Sequence, residues 1–301
     1  MVRRVLDDAA ALGFRTVSLS GGEPLLYRDL PAVLAHARDV GLRTAVVTNG
    51  TVFGGGRLDA VAGLVDRLVV SMDGPPDLHN EIRASPSAFD RMVDGLALVR
   101  DAGLQFGLLA TVTARSWPHL AWAGRFAVDQ GAALLQLHAV EPVGRAVDEL
   151  VGDVPDASVL AAAYVIAAAL REDHAGRLVV HVDLVHRSHL ESLPELVYAG
   201  DDEAAVDPLD DPAGAVGVLV VEDDGVVSPF GYGFGRQYAV ADLGRERLRD
   251  AWPRFAATGC GDLRALCRRT LAELLSSKQS VFAWTEALGR ASTLEAPTLT
   301  G

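Results

Sequence analysis

The sequence predicts an α/β fold built on a parallel sheet, and three observations support this prediction. Strand-like and helix-like segments alternate through the first two thirds of the 301-residue chain. The strand-like segments are nearly continuous apolar runs, which is typical of strands covered on both faces. Each strand ends in a polar or glycine-rich cluster, and ligands bind at the carboxyl ends of strands in parallel α/β proteins.

The elements follow one another as strand and crossover helix. Thr16–Ser20 is short, β-branched and bounded by glycine, which indicates a strand, and the next segment has apolar residues at Leu30, Val33, Leu34 and Ala37, the spacing of a helix. Later strands are predicted in "RTAVVTNG", "RLVVSMDG", "QFGLLATVT" and "ALLQLHAVEP", with helices in "RLDAVAGLVD", "SAFDRMVDGLALVRDAG" and "HLAWAGRFAVDQG" between them. Five strands joined by such crossovers are expected to pair in parallel.

The remaining chain is organised differently. A helix is predicted over Ala157–Arg171, with Asp156 as its N-cap and an end near Gly176, followed by a further strand in "RLVVHVDLV". The acidic, proline-containing segment "GDDEAAVDPLDDPAGA" is predicted to be a solvated linker. A hairpin in "AVGVLVVEDDGVVSPF" follows, and then helices from Gly244 until a polar tail after Gly289. The predicted organisation is a barrel-like domain over residues 1–199, a linker at 200–214 and an extension at 215–301.

Composition limits the functional classes. The formal net charge is −13, so the basic stripe of a nucleic-acid-binding surface is not expected. The apolar run "LAAAYVIAAAL" from Leu160 is shorter than the roughly 20 residues that cross a bilayer, and Asp7 and Asp8 interrupt any secretory signal. The only cysteines, Cys260 and Cys267, exclude a disulfide framework. We expect a cytoplasmic protein without a membrane or nucleic-acid partner.

The segment "SGGEP" follows the first strand directly. Its glycines, Gly21 and Gly22, let the backbone approach a ligand closely. Glu23 supplies a carboxylate that accepts hydrogen bonds from an ammonium group, and Pro24 fixes the direction of the turn. The same residues also suit a glycine turn with an exposed acid, so this segment alone leaves both interpretations open.

The next strand ends are also polar. The segment "TNG", with Asn49 at its centre, suits an ordinary Asn-Gly turn. Ser71 and Asp73 alternate at the end of the third strand and therefore share a face, where a hydroxyl and a carboxylate suit ribose hydroxyls. His79 and Arg83, four residues apart, are expected to line the following turn; the competing interpretation is an acidic loop with Arg83 in a weak surface pair.

The fifth strand ends in "HAVEPVGRA". Pro142 and Gly144 suit a backbone contact to a ligand. A single histidine on an apolar strand, here His138, is more often a satisfied core residue than a ligand-binding one.

Taken in order, "GGEP", "TNG", "SMDGP" with "HNEIR", and "PVGRA" resemble the motif series of the radical S-adenosylmethionine superfamily, over about residues 1–146. The motifs are short individually and distinctive as a series. The resemblance implies a partial (β/α)6 TIM-like barrel that lacks its first strand in this chain, followed by a small α+β extension.

The resemblance also implies a cofactor site. In the family, the GGE segment holds the methionine amino group of S-adenosylmethionine, and residues at the end of the fourth barrel strand hold its ribose. Backbone near Leu137–Val140 is expected beside the adenine. The predicted cofactor-binding residues on this basis are Gly21, Gly22, Glu23, Pro24, Asn49, Ser71 and Asp73.

Family members carry a C-x3-C-x2-C loop after the first strand, whose three thiolates hold a [4Fe–4S] cluster. This sequence has no such loop, and Cys260 and Cys267 have neither its spacing nor its position, so no metal ligand is predicted. Two explanations stay open: a chain that begins after the loop, favoured by the helical stripe that starts at Met1, and a cluster-free relative.

The segment from Gly225 to Cys267 resembles the SPASM or twitch extension found behind many such barrels. A cysteine usually follows the hairpin proline there, whereas this chain has Phe230, and Leu263 occupies the C-x2-C position after Cys260. Because two thiols cannot complete a four-cysteine cluster, we expect a cluster-free extension.

Three functions compete at this point. The resemblance implies an enzyme that cleaves S-adenosylmethionine reductively to a 5′-deoxyadenosyl radical and so modifies a peptide or small precursor, with this chain an N-terminally truncated form. The alternative is a cluster-free protein that binds S-adenosylmethionine or a peptide. An unrelated barrel enzyme, such as an aldolase, is disfavoured because the only lysine, Lys278, lies at no strand end.

Overall fold

A six-stranded sheet with parallel neighbours, in the order β1 to β6, is the main feature of the computed structural model, which describes residues 1–140, 152–200 and 206–294. Thr44 on β2 pairs with Val17 on β1. Each later strand, up to β6, pairs in parallel with the strand before it. The strands are β1 Thr16–Leu19, β2 Arg43–Thr48, β3 Arg67–Ser71, β4 Phe106–Val112, β5 Leu134–Ala139 and β6 Val179–Val182. The predicted parallel α/β fold is confirmed, and the strand predicted in "RLVVHVDLV" pairs with β5.

The first helix precedes the first strand, and the other helices of this part of the chain lie between the strands. They are α1 Val2–Ala11, α2 Leu30–Asp39, α3 Arg57–Ala62, α4 Pro76–Ile82, α5 Ala88–Asp101, α6 Leu120–Asp129 and α7 Ala157–Asp173. Asp156 caps α7 as predicted, because its Oδ1 accepts hydrogen bonds from the Ser158 and Val159 N–H groups, both at 2.9 Å. Helix α4 was not predicted, since two prolines and an aspartate at its start resemble a loop.

The two faces of the sheet differ in burial. Along β5, Leu135, Leu137 and Ala139 are buried, whereas the residues between them are only half-buried. Neighbours in register share a face, so the sheet has one more open face and one face that is buried from β2 to β6 and half-buried at β1. The apolar strands predicted both faces to be covered; the difference arises from the polar residues that β5 and β6 place on the open face.

The C-terminal half consists of short elements. They are β7 Val185–His186, α8 Arg187–Ser192, α9 Pro212–Val216, β8 Leu219–Val221, β9 Val226–Pro229, β10 Ala241–Asp242, α10 Leu248–Arg254, α11 Cys260–Ser276, β11 Val281–Phe282 and α12 Trp284–Leu294. The predicted hairpin is confirmed as the antiparallel pair β8–β9, with β10 on its other side. The polar tail predicted after Gly289 is wrong as far as Leu294, because α12 continues to that residue.

Residue contacts divide the chain into two compact units. Of the described residues, the sheet unit comprises 15–140 and 152–183, and the second unit comprises 1–14, 184–200 and 206–294. Helix α1 and residues 184–199 thus belong with the C-terminal elements, whereas the sequence placed them with the sheet in one domain over residues 1–199. Within the predicted linker 200–214, residues 201–205 lie outside the described residues.

Long-range hydrogen bonds hold the second unit together. Asp8 on α1 is buried and accepts hydrogen bonds from Arg247 Nη2 at 2.6 Å and Nε at 3.3 Å. Arg187 donates to the main-chain oxygens of Leu275 and Gln279, each at 3.0 Å. Its guanidinium also lies 5.6 Å above the centre of the Phe282 ring. Residues far apart in sequence therefore share one core.

No helix in residues 1–140, 152–200 or 206–294 combines the length and the apolar composition needed to cross a membrane.

Candidate cofactor-binding site

The turn after β1 exposes its main chain. Gly21 and Gly22 have φ angles of +88° and +43°, in the region that favours glycine. A Cβ atom built on either residue would meet no atom within 4 Å. Both residues are exposed. The glycines are therefore required by backbone conformation and not by crowding, and their N–H and C=O groups are accessible to a ligand.

Glu23 is fixed at the ends of β1 and β2. Its Oε1 accepts hydrogen bonds from the Thr48 hydroxyl at 2.7 Å and from the Leu25 N–H at 3.1 Å, and its Oε2 accepts from the Asn49 N–H at 2.8 Å. Pro24 is buried and begins the short 3-10 turn Pro24–Leu26, which Glu23 caps. The carboxylate is thus oriented by three donors, and each oxygen retains lone-pair capacity for a ligand N–H.

The turn after β2 supports this arrangement. Asn49 Oδ1 accepts hydrogen bonds from the N–H and the hydroxyl of Thr51, at 2.9 and 2.7 Å, which forms an Asx turn. Gly50 has a φ of +76°, and a Cβ there would lie 2.7 Å from Val70 Cγ1. The Asn-Gly turn predicted from the sequence is present, and the contribution of Asn49 toward Glu23 comes from its backbone.

The structure separates the two residues predicted to contact ribose. Ser71 is half-buried at the end of β3, on the open face of the sheet. Asp73 is 5% exposed, and its carboxylate accepts hydrogen bonds from Arg83 Nε at 2.6 Å and Nη2 at 3.3 Å. His79 Nδ1 lies 3.3 Å from the same carboxylate. His79 and Arg83 therefore converge on Asp73, which ties the loop after β3 to α4.

The surroundings of Asp73 keep it ionised. Burial acts to raise its pKa, but the close His79 ring and the Arg83 guanidinium outweigh burial, so the pKa lies below its usual value. The competing interpretation, in which Arg83 forms a weak surface pair, is wrong. Arg83 pairs with the buried carboxylate of Asp73, which His79 also contacts. Asp73 is consequently less suited than Ser71 to bind a ligand.

The end of β5 carries a cluster that the sequence reasoning missed. Leu137–Ala139 form the end of this strand, and Val140 follows it; that this backbone lies beside the adenine stays a prediction. His138 is 36% exposed, and its Nδ1 lies 2.7 Å from Asp183 Oδ2, so it is satisfied but is not a core residue. The signal was the alternation of polar side chains at 136 and 138 and at 181 and 183. Pro142 and Gly144 lie outside the described residues.

Thr48 was also missed, because a threonine at a strand end has no distinctive pattern. It is 2% exposed and donates the shortest hydrogen bond that Glu23 receives.

The residues do not fit an iron–sulfur cluster. Cys260 and Cys267 are buried on α11, where burial raises their pKa values to about 11 and about 12. Phe230 lies against Tyr198, with ring centres 5.2 Å apart. Within the described residues, no three cysteine, histidine or acidic side chains are arranged to hold a metal ion. Two protonated thiols in an apolar core supply neither the number nor the charge state that such a cluster needs.

The N-terminal part of the chain is similar to known proteins of one family. Residues 1–113 match the model of the Radical SAM superfamily. The chain is 31% identical over 147 residues to an AdoMet-dependent heme synthase of Oleidesulfovibrio alaskensis, a match that covers 48% of this chain and 38% of that protein. It is 30% identical over 179 residues to a PqqA peptide cyclase of Methylocella silvestris, covering 59% of this chain and 48% of that protein. The matches thus span less than half of these relatives.

Solved structures share the fold. SuiB of Streptococcus suis bound to S-adenosylmethionine superposes with a TM-score of 0.66 at 17% identity, over 88% of this chain and 60% of that one. The enzyme anSMEcpe with bound AdoMet superposes with a TM-score of 0.64 at 15% identity, over 96% of this chain and 78% of that one. The predicted α/β fold of the partial TIM-like barrel type is confirmed.

Proposed function

We propose, because residues 1–113 match the model of the Radical SAM superfamily, that this chain binds S-adenosylmethionine at the carboxyl ends of β1, β2 and β3. The observation that carries the proposal is the Glu23 carboxylate, fixed by Thr48 and Asn49 beside an exposed turn at Gly21 and Gly22. An oriented carboxylate next to accessible backbone groups suits an amino-acid ligand, which has both an ammonium and a carboxylate group.

Each predicted residue then has a separate role. Glu23 accepts the ammonium protons of the methionine moiety, and the Gly21–Gly22 backbone lies along the same moiety. Pro24 and Asn49 hold the Glu23 carboxylate in place through the turn and the backbone N–H. Ser71 donates to or accepts from a ribose hydroxyl, whereas Asp73 positions α4 through Arg83 and contributes indirectly.

In radical SAM enzymes, S-adenosylmethionine supplies a carbon radical once a reduced cluster has cleaved it. The cysteines of this chain do not fit that cluster, so no such step is derived from its residues. These residues support the binding and orientation of the cofactor. In this proposal the chain is the cofactor-binding portion of a radical SAM enzyme.

We assign a peptide as the substrate class. SuiB has been solved with its precursor peptide SuiA and anSMEcpe with a peptide, and the relatives include PqqA peptide cyclases. Heme synthases among the relatives make a small precursor the alternative substrate. The second candidate function, a cluster-free protein that binds S-adenosylmethionine or a peptide, is favoured by one observation: both thiols are buried in the core of the second unit.

Calorimetric titration of the chain with S-adenosylmethionine tests the proposal. We expect binding by the wild type and a loss of about tenfold or more in affinity for Glu23→Gln, because hydrogen bonds to charged groups contribute about 1.5–3 kcal/mol. Glu172→Gln, at an exposed position on α7, is the matched control and should bind normally. A wild type that does not bind, or a Glu23→Gln variant that binds equally well, overturns the proposal.

A further inference from the structure

The outer edge of β8 has no strand partner among the described residues. β8 is the last strand of the sheet β10–β9–β8, so only one of its two sides is paired. Val218 and Glu222 each form a main-chain hydrogen bond to the other arm of the hairpin, at 3.1 and 2.9 Å, which shows that alternate residues face that arm. Leu219 and Val221 therefore turn their N–H and C=O groups toward the free edge.

The residues of β8 do not themselves block the addition of a strand. Sheet edges are usually protected by proline, lysine or a bulge. Residues 218–221 contain neither charge nor proline, and their pairing with β9 is continuous. Val218 and Val221 are 51% and 45% exposed. An extended peptide adds to such an edge through main-chain hydrogen bonds. Because only two residues face outward, at most four such bonds form, and neighbouring side chains must supply the specificity.

The hairpin turn after β8 carries excess negative charge. Glu222, Asp223 and Asp224 follow one another there. Among the described residues a single guanidinium pairs with them, since Arg236 Nη2 lies 3.0 Å from Glu222 Oε2 and 2.8 Å from Asp224 Oδ2. Asp223 is exposed and accepts a hydrogen bond from the Tyr232 hydroxyl at 3.3 Å. Its charge raises the pKa of Tyr232. A cationic group of a ligand therefore suits this end of the edge.

Tyr198 lies at the opposite end of the edge. A Cβ atom built on Gly217, the residue before Val218, would collide with Tyr198 Oη, so this hydroxyl lies beside the start of β8. The Tyr198 ring contacts Phe230, with ring centres 5.2 Å apart. Within the part of the chain that the structure describes, the hydroxyl has no hydrogen-bond partner, and it is not enclosed. A hydroxyl of this kind can donate to or accept from the main chain of a bound peptide.

We propose that the outer edge of β8 docks an extended peptide in which a basic residue precedes an apolar stretch. Antiparallel addition continues the pattern of this sheet, and it places the N-terminal part of the peptide beside Asp223 and the C-terminal part beside Tyr198. The basic residue then meets the Asp223 carboxylate, and apolar side chains cover Val218 and Val221. This inference rests on the proposed peptide substrate, for which it names the docking surface and the charge pattern.

Fluorescence anisotropy with labelled synthetic peptides tests this surface on the full chain. The probe has two arginines before an alternating stretch of valine and threonine, and the matched control has the same residues in reverse order. In the absence of S-adenosylmethionine, we expect the arginine-first peptide to bind at least fivefold more tightly. Asp223→Asn should weaken its binding severalfold and remove most of the preference, because the carboxylate that meets the arginines is lost.

Val221→Pro tests the main-chain contacts. Proline removes one edge N–H and places a ring there, but it breaks no bond to β9, because the N–H of Val221 does not face that strand. We expect a loss of about tenfold or more in affinity for the arginine-first peptide. Ser18→Pro makes the same change at the free edge of β1, where the main chain of Ser18 faces away from β2. This control should leave the affinity unchanged.

Two further measurements keep the result interpretable. Cys260 and Cys267 are buried in the core of the same unit, so thiols that stay unreactive report that each variant is folded. Glu23→Gln should bind the peptide as the wild type does, so a failure of the cofactor site and a failure of this surface remain distinguishable. The proposal is overturned by no binding of the arginine-first peptide, by equal affinities for the two peptides, by wild-type affinity of Val221→Pro, or by an equal loss in Ser18→Pro.

Discussion

The Thr48 hydroxyl donates a hydrogen bond to Glu23 Oε1 over 2.7 Å, and the next backbone N–H along the chain, that of Asn49, donates to Oε2. The end of β2 therefore orients a carboxylate that belongs to the turn after β1. This relationship explains why an acid follows two glycines in "GGEP": the glycines expose the backbone, and the acid is fixed by the neighbouring strand.

The first prediction concerns that hydrogen bond. Thr48→Val keeps the shape of the side chain and removes the donor, so Glu23 loses part of its orientation. We expect affinity for S-adenosylmethionine to fall roughly fivefold, the equivalent of about 1 kcal/mol for one hydrogen bond. Titration calorimetry measures this change. Thr16→Val, at an exposed position on β1, is the control, and equal affinities of the two variants would contradict the prediction.

The second prediction concerns the pH dependence of stability through Asp73. Because its pKa is lower in the folded chain than the value of about 3.9 in an unfolded one, the unfolded state binds the proton first as pH falls. The contribution of Asp73 to the free energy of unfolding is present in full above the pKa that Asp73 has in the unfolded chain. It is lost as pH falls through the pKa that Asp73 has in the folded chain. Asp73→Asn should cost about 2 kcal/mol at pH 7.

Urea denaturation of the wild type and Asp73→Asn at a series of pH values measures this contribution. We expect the difference in the free energy of unfolding to be constant between pH 7 and about pH 5, and to shrink below about pH 4. A difference that stays constant or grows toward low pH would show that Asp73 is not the ionised partner of Arg83.

The third prediction compares two glycines that the fold requires for different reasons. Gly21 and Gly50 both have a positive φ, but only at Gly50 would a Cβ collide with a neighbour, Val70 Cγ1. Gly21→Ala should cost about 1 kcal/mol from backbone conformation, and Gly50→Ala about 3 kcal/mol because overpacking is added. Urea denaturation compares the two variants, and equal costs would refute the collision.

The fourth prediction concerns the thiols. With pKa values of about 11 and about 12, Cys260 and Cys267 hold less than about 1% thiolate at pH 8, and neither is accessible. Ellman's reagent should therefore detect no thiol in the native chain and two in urea. Ala272→Cys, at an exposed position on the same helix, should add one that reacts natively. A native reaction of either original thiol would argue against their burial.

Most of the sheet was predictable because each strand is a local apolar run with a glycine or polar cluster at its end. Helix α4 was not, since Pro75 and Pro76 resemble a loop, although proline is well tolerated in the first turn of a helix. Consequently the sequence showed His79 and Arg83 as neighbours of a turn but did not reveal that both converge on Asp73.

The candidate site was predictable in its glycines and acid, whose positions follow from motif order. The Asp183 cluster was not, because it requires the register between β5 and β6, which are 45 residues apart at His138 and Asp183. Pairwise register over such a separation depends on tertiary packing and has no local sequence signal.

The pairing of Asp8 with Arg247 has a consequence for synthesis. Asp8 lies on the first helix, and its arginine follows 239 residues later. During translation the sheet unit, whose residues end at Asp183, can complete its contacts while α1 still lacks its partners. Helix α1 therefore gains this buried ion pair only after Arg247 has been synthesised, so we expect α1 to be fixed later than the sheet unit.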